Sequence, residues 1–403
     1  MQICPTLSLV VKAANKCSLL TVHKAPIQGR SAPAFWERRG IISWLLWPLS
    51  KLVGLFVASK NALRDLGIGV GKPFSVPIII VGNLRVGGTG KTPVVIALAE
   101  RLRARGFYPG IISRGYGGRG HSKQSNPIQV NSKSDPTVVG DESVLMAQRL
   151  QDVIPIWVCP KRRNSIRALL NANPEVNVII SDDGLQHQDL TRWAAREGGR
   201  DIEIVVRDHR GEGNGFLLPA GPLREPADRD RDITLVTGKI HGAGSATDVG
   251  DGLHYIADRH AFTLEPILEF AYPLVDPSGA VSLELLLAQQ SNNPIVAIAA
   301  IGNPQRFFDG IQLLLPNPSA PFKGIALPDH GHIDSTLLNT VDAQCILITE
   351  KDAVKCAHID DPRIWVVPMQ LSLPNALMDW VESILQRPDP NALKSEPRGK
   401  KDG

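Results

Sequence analysis

The chain has 403 residues, enough for two domains of ordinary size, and its 43% hydrophobic and 21% charged composition is that of a folded globular protein. A formal net charge of +4 is too small to indicate a nucleic-acid partner. Five scattered cysteines (Cys4, Cys17, Cys159, Cys345, Cys356) without a C-x-x-C pair fit a reducing compartment and argue against structural zinc.

Residues 1–30 place Lys12, Lys16 and Lys24 between short apolar runs, without a small-residue cleavage site after a sustained apolar core. They read as an extension or an upstream start. Residues 41–58, IISWLLWPLSKLVGLFVA, are strongly apolar and follow Glu37, Arg38 and Arg39. A spanning helix needs about 20 apolar residues, so this interrupted run fits an interfacial or shallowly inserted helix better. A helix packed on the protein's own core is the alternative.

Residues 76–95, VPIIIVGNLRVGGTGKTPVV, carry the strongest signal. An apolar β-branched run predicts a buried strand, and a glycine-rich turn then leads into a helix. This is the order of a Walker-type P-loop, whose backbone N–H groups and helix N-terminus surround a phosphate chain. Gly87, Gly88, Thr89, Gly90, Lys91 and Thr92 are the candidate nucleotide-binding residues. The Lys91 ammonium reaches phosphates and the Thr92 hydroxyl ligates Mg²⁺. Arg85 stands where the motif expects glycine.

Further along, strands near 110–113, 154–158, 176–181, 202–206 and 233–236 alternate with helical patterns such as 141–150 and 161–171. The fold class expected is α/β, a P-loop NTPase-type, mostly parallel sheet flanked by helices. The stretch 240–290 lacks clean periodicity, and a second α/β pattern follows. The predicted organisation is an N-terminal extension over 1–34, a membrane-associated helical segment over 35–70 and a kinase core over 71–240. A smaller α/β domain over 241–386 and a polar, disordered tail over 387–403 complete it.

Three constellations carry chemistry. Asp182 and Asp183 end an apolar strand where a Walker B acid belongs, offering hard oxygen ligands to Mg²⁺ beside Thr92; a capped turn is the alternative. Gln186 and His187 follow on the same turn. Asp141 precedes a helix and is either a cap or a general base for an alcohol acceptor. His330 and the mixed-charge run Thr349–Lys355 read, alone, as a structural histidine and a surface salt-bridge turn.

The segments VGNLRVGGTGKTPVV, SRGYGG, GDE, SDDGLQH, GNGFLLPAGPLRE, IGNPQRFF, PDH and TEKDAVKC occur in that order. In combination the chain resembles the tetraacyldisaccharide 4′-kinases of lipid A biosynthesis over roughly residues 35–370. The resemblance implies transfer of the ATP γ-phosphate, with Mg²⁺, to the 4′-hydroxyl of a tetraacylated glucosamine disaccharide 1-phosphate. It also implies an enzyme at the cytoplasmic face of the inner membrane of a Gram-negative bacterium. By motif, Lys91 and Thr92 serve the nucleotide and metal, Asp182 and Asp183 the metal, Asp141 the base and His330 its partner. Tyr116, Gln186 and His187 line the substrate site. The family P-loop also tolerates a non-glycine at the Arg85 position. Departures are Glu212 where an aromatic is common, an apparent insertion at 192–200, and Thr237 in place of asparagine, onto which no role is carried. The partners expected are the lipid substrate and a membrane surface, with no nucleic acid and no protein partner implied. A membrane-bound P-loop ATPase acting as a switch leaves LPAGPLRE and TEKDAVKC without a purpose. A kinase of soluble sugars has no need of the tryptophan-rich segment.

Overall fold

The computed structural model describes residues 33–66, 71–115, 126–187, 189–238, 241–242, 260–290, 293–317 and 320–389. Tyr116, the extension over 1–30 and the tail beyond 389 lie outside the described residues.

The strands in chain order are β1 (Ile78–Gly82), β2 (Pro109–Ser113), β3 (Ile128–Val130), β4 (Ile156–Val158), β5 (Val178–Asp182) and β6 (Ile202–Asp208). They continue as β7 (Ile233–Thr237), β8 (His241–Gly242), β9 (His260–Leu264), β10 (Pro266–Leu268), β11 (Phe270–Pro273) and β12 (Val281–Ser282). The last are β13 (Ile295–Ala299), β14 (Phe322–Ala326), β15 (Cys345–Thr349), β16 (Ile364–Val367) and β17 (Gln370–Leu371).

Eight strands form the main sheet in the order β3-β4-β2-β5-β1-β6-β7-β9. All its pairings are parallel except β3 with β4. β1 is buried along its whole length between β5 and β6, which is why its sequence is a continuous apolar run. Strand order reverses there, and open α/β sheets bind ligands beyond the carboxyl ends of strands at such a point. Helix Lys91–Ala104 follows β1 and buries Val94, Val95, Leu98, Ala99 and Leu102 on the sheet.

A six-stranded sheet, β12-β11-β16-β15-β13-β14, forms the second core, with helix Pro304–Leu314 packing Phe307, Phe308 and Ile311 onto it. The stretch 240–290, irregular in sequence, holds β8 to β12 and helix Leu283–Gln289 among its described residues. Elements after the boundary read at residue 240 return to the first core. β9 extends the main sheet beside β7, and helix Asn375–Leu385 packs Leu377, Met378, Val381 and Ile384 into the first core. An amphipathic pattern announces an apolar face but not which core that face will meet. The segment 128–139, outside the strands and helices expected from sequence, contributes edge strand β3 and the short helix Pro136–Val139.

The apolar segment near the N-terminus is a helix over Ile41–Asp65, longer than the run read from sequence, with Pro48 inside it. By length and composition it is apolar enough to cross a membrane. Ile41, Leu45, Leu52, Leu55 and Phe56 are exposed, while Ser43 and Ser50 are buried. The helix therefore turns small polar residues toward the protein and large apolar ones away, the reverse of a core helix. The run 192–200 is tied to the core: Arg192 and Arg196 both pair with the buried carboxylate of Glu203, at 2.6 and 2.7 Å.

Candidate active site

The P-loop is held open from within. Asn83, completely buried after β1, points its amide nitrogen at Arg85 O (2.6 Å), Gly87 O (3.2 Å) and Thr89 Oγ1 (3.1 Å). Its oxygen accepts from Lys91 Nζ at 3.1 Å. Gly90 has φ of 84°, a left-handed conformation that glycine adopts without penalty at the start of the helix. Gly88 lies against Gly302 of the second lobe, where a Cβ on Gly302 would stand 2.4 Å from Gly88 N.

A cavity of about 640 Å³ opens on this loop. One wall holds residues 86–93, Ser113, Asp182, Asp183 and Arg224; the facing wall holds Asn303, Arg306, Asp329, His330 and Lys351.

β5 delivers the acidic pair. Asp182 is buried; one oxygen accepts from Ser113 Oγ at 3.1 Å, and the other has no hydrogen-bond partner among the described residues. Burial and the charge of Glu142 push its pKa up to about 6, against the pull of Lys91. Asp183, at φ of 49°, meets Lys91 Nζ at 3.4 Å and Arg224 Nη1 at 3.3 Å. Burial alone would keep Asp183 neutral, but these two cations outweigh it and hold its pKa below the usual range. Beneath the pair, Arg162 is fully buried and donates to Asp182 O at 2.7 Å. Its desolvation lowers its pKa to about 10.

The second constellation spans both lobes. Asp141 is the first residue of helix Asp141–Arg149, after the N-cap position Gly140, and its Oδ1 accepts from Glu142 N at 3.0 Å. Its Oδ2 lies 3.0 Å from His330 Nδ1, and His330, at φ of 62° beyond β14, is tied by its N–H to Ala300 O. Burial opposes ionisation of Asp141, but the His330 hydrogen bond and the charges of Lys351 and Lys355 prevail and lower its pKa. The same hydrogen bond raises the pKa of His330 against burial and Lys351. The run Thr349–Lys355, read as a surface turn, is a helix over Glu350–Lys355 capped by Thr349, with Asp352 wholly buried and accepting from Ala300 N. Lys351 there pairs with Glu142 at 2.9 Å.

Gln186 and His187 do not line the cavity. Gln186 donates to Asn83 O at 3.2 Å, supporting the P-loop from behind. Burial and Arg162 lower the pKa of His187 to about 4. Sequence reading gave no role at this site to Asn83, Lys351 or Thr237. Thr237 Oγ1 lies 3.1 Å from Arg207 O and 3.3 Å from Thr89 O, one of which takes its single proton, and accepts from Arg306 Nη1. Their signal lay only in position beside the motifs.

The family model for tetraacyldisaccharide-1-P 4′-kinase matches residues 42–386. This chain belongs to that kinase family. The tetraacyldisaccharide 4′-kinase of Polynucleobacter necessarius subsp. necessarius is 59% identical over 361 residues, 90% of this chain and 97% of that protein. That of Herminiimonas arsenicoxydans is 42% identical over 352 residues, covering 86% and 92%. Among solved structures, Aquifex aeolicus LpxK in complex with ATP shares the fold at a TM-score of 0.64. That match is 24% identical and covers 86% of this chain and all of the other.

Proposed function

We propose that this kinase transfers the γ-phosphate of ATP to the 4′-hydroxyl of a tetraacylated glucosamine disaccharide 1-phosphate, a step of lipid A biosynthesis. The observation that carries the reading is His330, in the cavity wall facing Lys91, hydrogen-bonded to the buried Asp141 behind it. A sugar hydroxyl is a poor nucleophile near neutral pH and needs a proton acceptor as its oxygen attacks phosphorus. Asp141, kept ionised by its surroundings, takes that proton, and His330 orients the carboxylate and stabilises its charge. Lys91 offsets phosphate charge in a partly enclosed site. Asp183, itself paired with Arg224, holds the Lys91 ammonium in place.

The residues fit Mg²⁺. Asp182 presents a buried carboxylate oxygen without a protein partner, and Thr92 lines the same cavity. We assign the metal to these two, with Asp183 behind them; P-loop sites take few protein ligands because phosphates supply the rest. The ion, when bound, offsets charge on the transferring phosphoryl group.

We further propose that Ile41–Asp65 seats the enzyme on the cytoplasmic face of the inner membrane of a Gram-negative bacterium, where an acylated substrate resides. Supporting this, the exposed side of the helix carries large apolar residues. A kinase lobe over 71–240 and a smaller lobe over 241–386 remain our division, with 260–264 and 375–385 packing on the first. Incubating purified protein with labelled ATP and a lipid disaccharide 1-phosphate, scored by product mobility, tests the activity. Label appearing only in free phosphate would instead favour the ATPase reading.

A further inference from the structure

Arg85 breaks the P-loop pattern, and the phosphate chemistry above leaves it unused. Its backbone does not need glycine: φ is not positive there, and residue 85 forms an antiparallel bridge with Leu223. Val86 N donates to Pro222 O at 2.9 Å and Arg224 N to Leu84 O at 2.7 Å, so the loop's first half is zipped to residues 222–224. The side chain of Arg85 runs the other way. It is buried, pairs with Glu37, and lies 3.4 Å from Arg210 O and Gly211 O.

Glu37 stands four residues before the exposed apolar helix, and that region grips residues 213–224 at further points. Asn214 N donates to Trp36 O at 2.7 Å, and its side-chain Nδ2, with two protons to give, lies 2.9 Å from Ala220 O, 3.1 Å from Phe35 O and 3.2 Å from Ser43 Oγ. Trp36 Nε1 donates to Pro219 O at 3.0 Å, and Ser50 Oγ to Leu217 O at 2.9 Å. The gripped segment ends in Arg224, whose guanidinium meets Asp183 beside Lys91.

We propose that Glu37, Arg85 and Asn214 are positioning residues that make the apolar helix part of the phosphoryl-transfer scaffold. Glu37 and Arg85 hold the P-loop directly. Asn214 holds the segment that sets Arg224 against Asp183 and Lys91. A buried guanidinium with one carboxylate partner has little freedom to move, and a buried amide whose two protons are both taken up has less. The geometry at Lys91 is therefore fixed from the helix side of the molecule. The assignment of positioning roles rests on the kinase reading; their link to a lipid surface rests on the membrane reading.

The test uses the full chain with Glu37→Gln, which alters a side chain 44% exposed and outside the cavity. An ordinary exposed ion pair would leave catalysis unchanged. Positioning predicts a melting curve that shows the variant folded at the assay temperature, unaltered co-sedimentation with anionic phospholipid vesicles, a KM for ATP within about twofold of the parent and a kcat about tenfold lower. Glu37→Asp should recover part of the loss, and Asn214→Ala should lower kcat in the same sense at a temperature where its melting curve shows it folded. A Glu37→Gln enzyme with kcat within about twofold of the parent overturns the proposal, because misplacement at a transferring centre is costly. Loss of vesicle binding together with activity overturns it too, since the defect is then attachment. If the parent itself ignores vesicles while Glu37→Gln still loses kcat, the membrane reading fails and the positioning role stands. If the parent transfers no phosphate to the lipid disaccharide, the kinase reading fails before the variants are compared.

Discussion

His330 Nδ1 sits 3.0 Å from Asp141 Oδ2 although 189 residues separate them in the chain. Asp141 opens a helix of the first lobe and His330 follows a strand of the second, so the pair forms only when the lobes are docked. Lys351 with Glu142 and Arg149 with Glu350 cross the same boundary at 2.9 and 3.0 Å.

Asp141→Ala should lower kcat far more than it raises the KM for ATP, because a proton acceptor acts in the transition state. His330→Ala should give a smaller defect of the same kind. The double variant should be no slower than Asp141→Ala, since residues acting as a unit are not additive. Steady-state kinetics of the three decide it; lost ATP affinity with intact single-turnover chemistry would make Asp141 a binding residue.

The dyad also makes stability depend on pH. The folded-state pKa of His330 is raised, so its contribution is complete below the ordinary imidazole value and is lost as pH rises through the raised value. The pKa of Asp141 is lowered, so its contribution is present above the ordinary carboxylate value and is lost as pH falls through the lowered one. The gap in melting temperature between the parent and His330→Ala should therefore be widest between about pH 3.9 and 6.5 and narrow on either side. A gap that is flat across thermal melts from acid to alkaline pH would show that the pair is not ionic.

Lys91→Ala should abolish transfer, costing about 10²-fold or more in rate, because phosphate charge goes unmatched in a partly enclosed site. The fold should survive, as Asp183 keeps Arg224 and Asn83 keeps its contacts to the loop. Melting curves and product formation, measured together, check both halves. Activity within about threefold of the parent would remove Lys91 from the chemistry.

Replacing Leu45, Leu49, Leu52, Leu55 and Phe56 with serine should release the protein from vesicles. These side chains are exposed, and each, once buried in lipid, contributes about 1.5–3 kcal/mol. The nearby cations Arg38, Arg39 and Lys51 give about 1 kcal/mol each at an anionic surface and should not hold the protein alone. Ser43, Ser50 and Asn214 are untouched, so activity on detergent-dispersed lipid should fall less than on lipid in vesicles. Vesicle sedimentation equal to the parent's would place the membrane contact elsewhere.

The sequence by itself determined the parts of this protein that are local in the chain. A strand, a glycine turn and a helix must be neighbours to make a phosphate loop, so VPIIIVGNLRVGGTGKTPVV was legible, as were Asp182 and Asp183 at the end of an apolar run. Element boundaries were recovered within a few residues wherever burial produced a continuous apolar run or a helical period of 3.6. What only the tertiary structure decided is what lies across the boundary between lobes or between distant segments. His330 acquires its partner, Lys351 its place at Glu142, Arg85 its contact with Glu37, and Arg162 its position under Asp182 through contacts between residues far apart in sequence. No periodicity encodes such contacts, because a side chain's pattern fixes the face it occupies and not the element that face will meet. The same reason explains why β9 and the helix Asn375–Leu385 joined the first core although both follow the boundary read at residue 240.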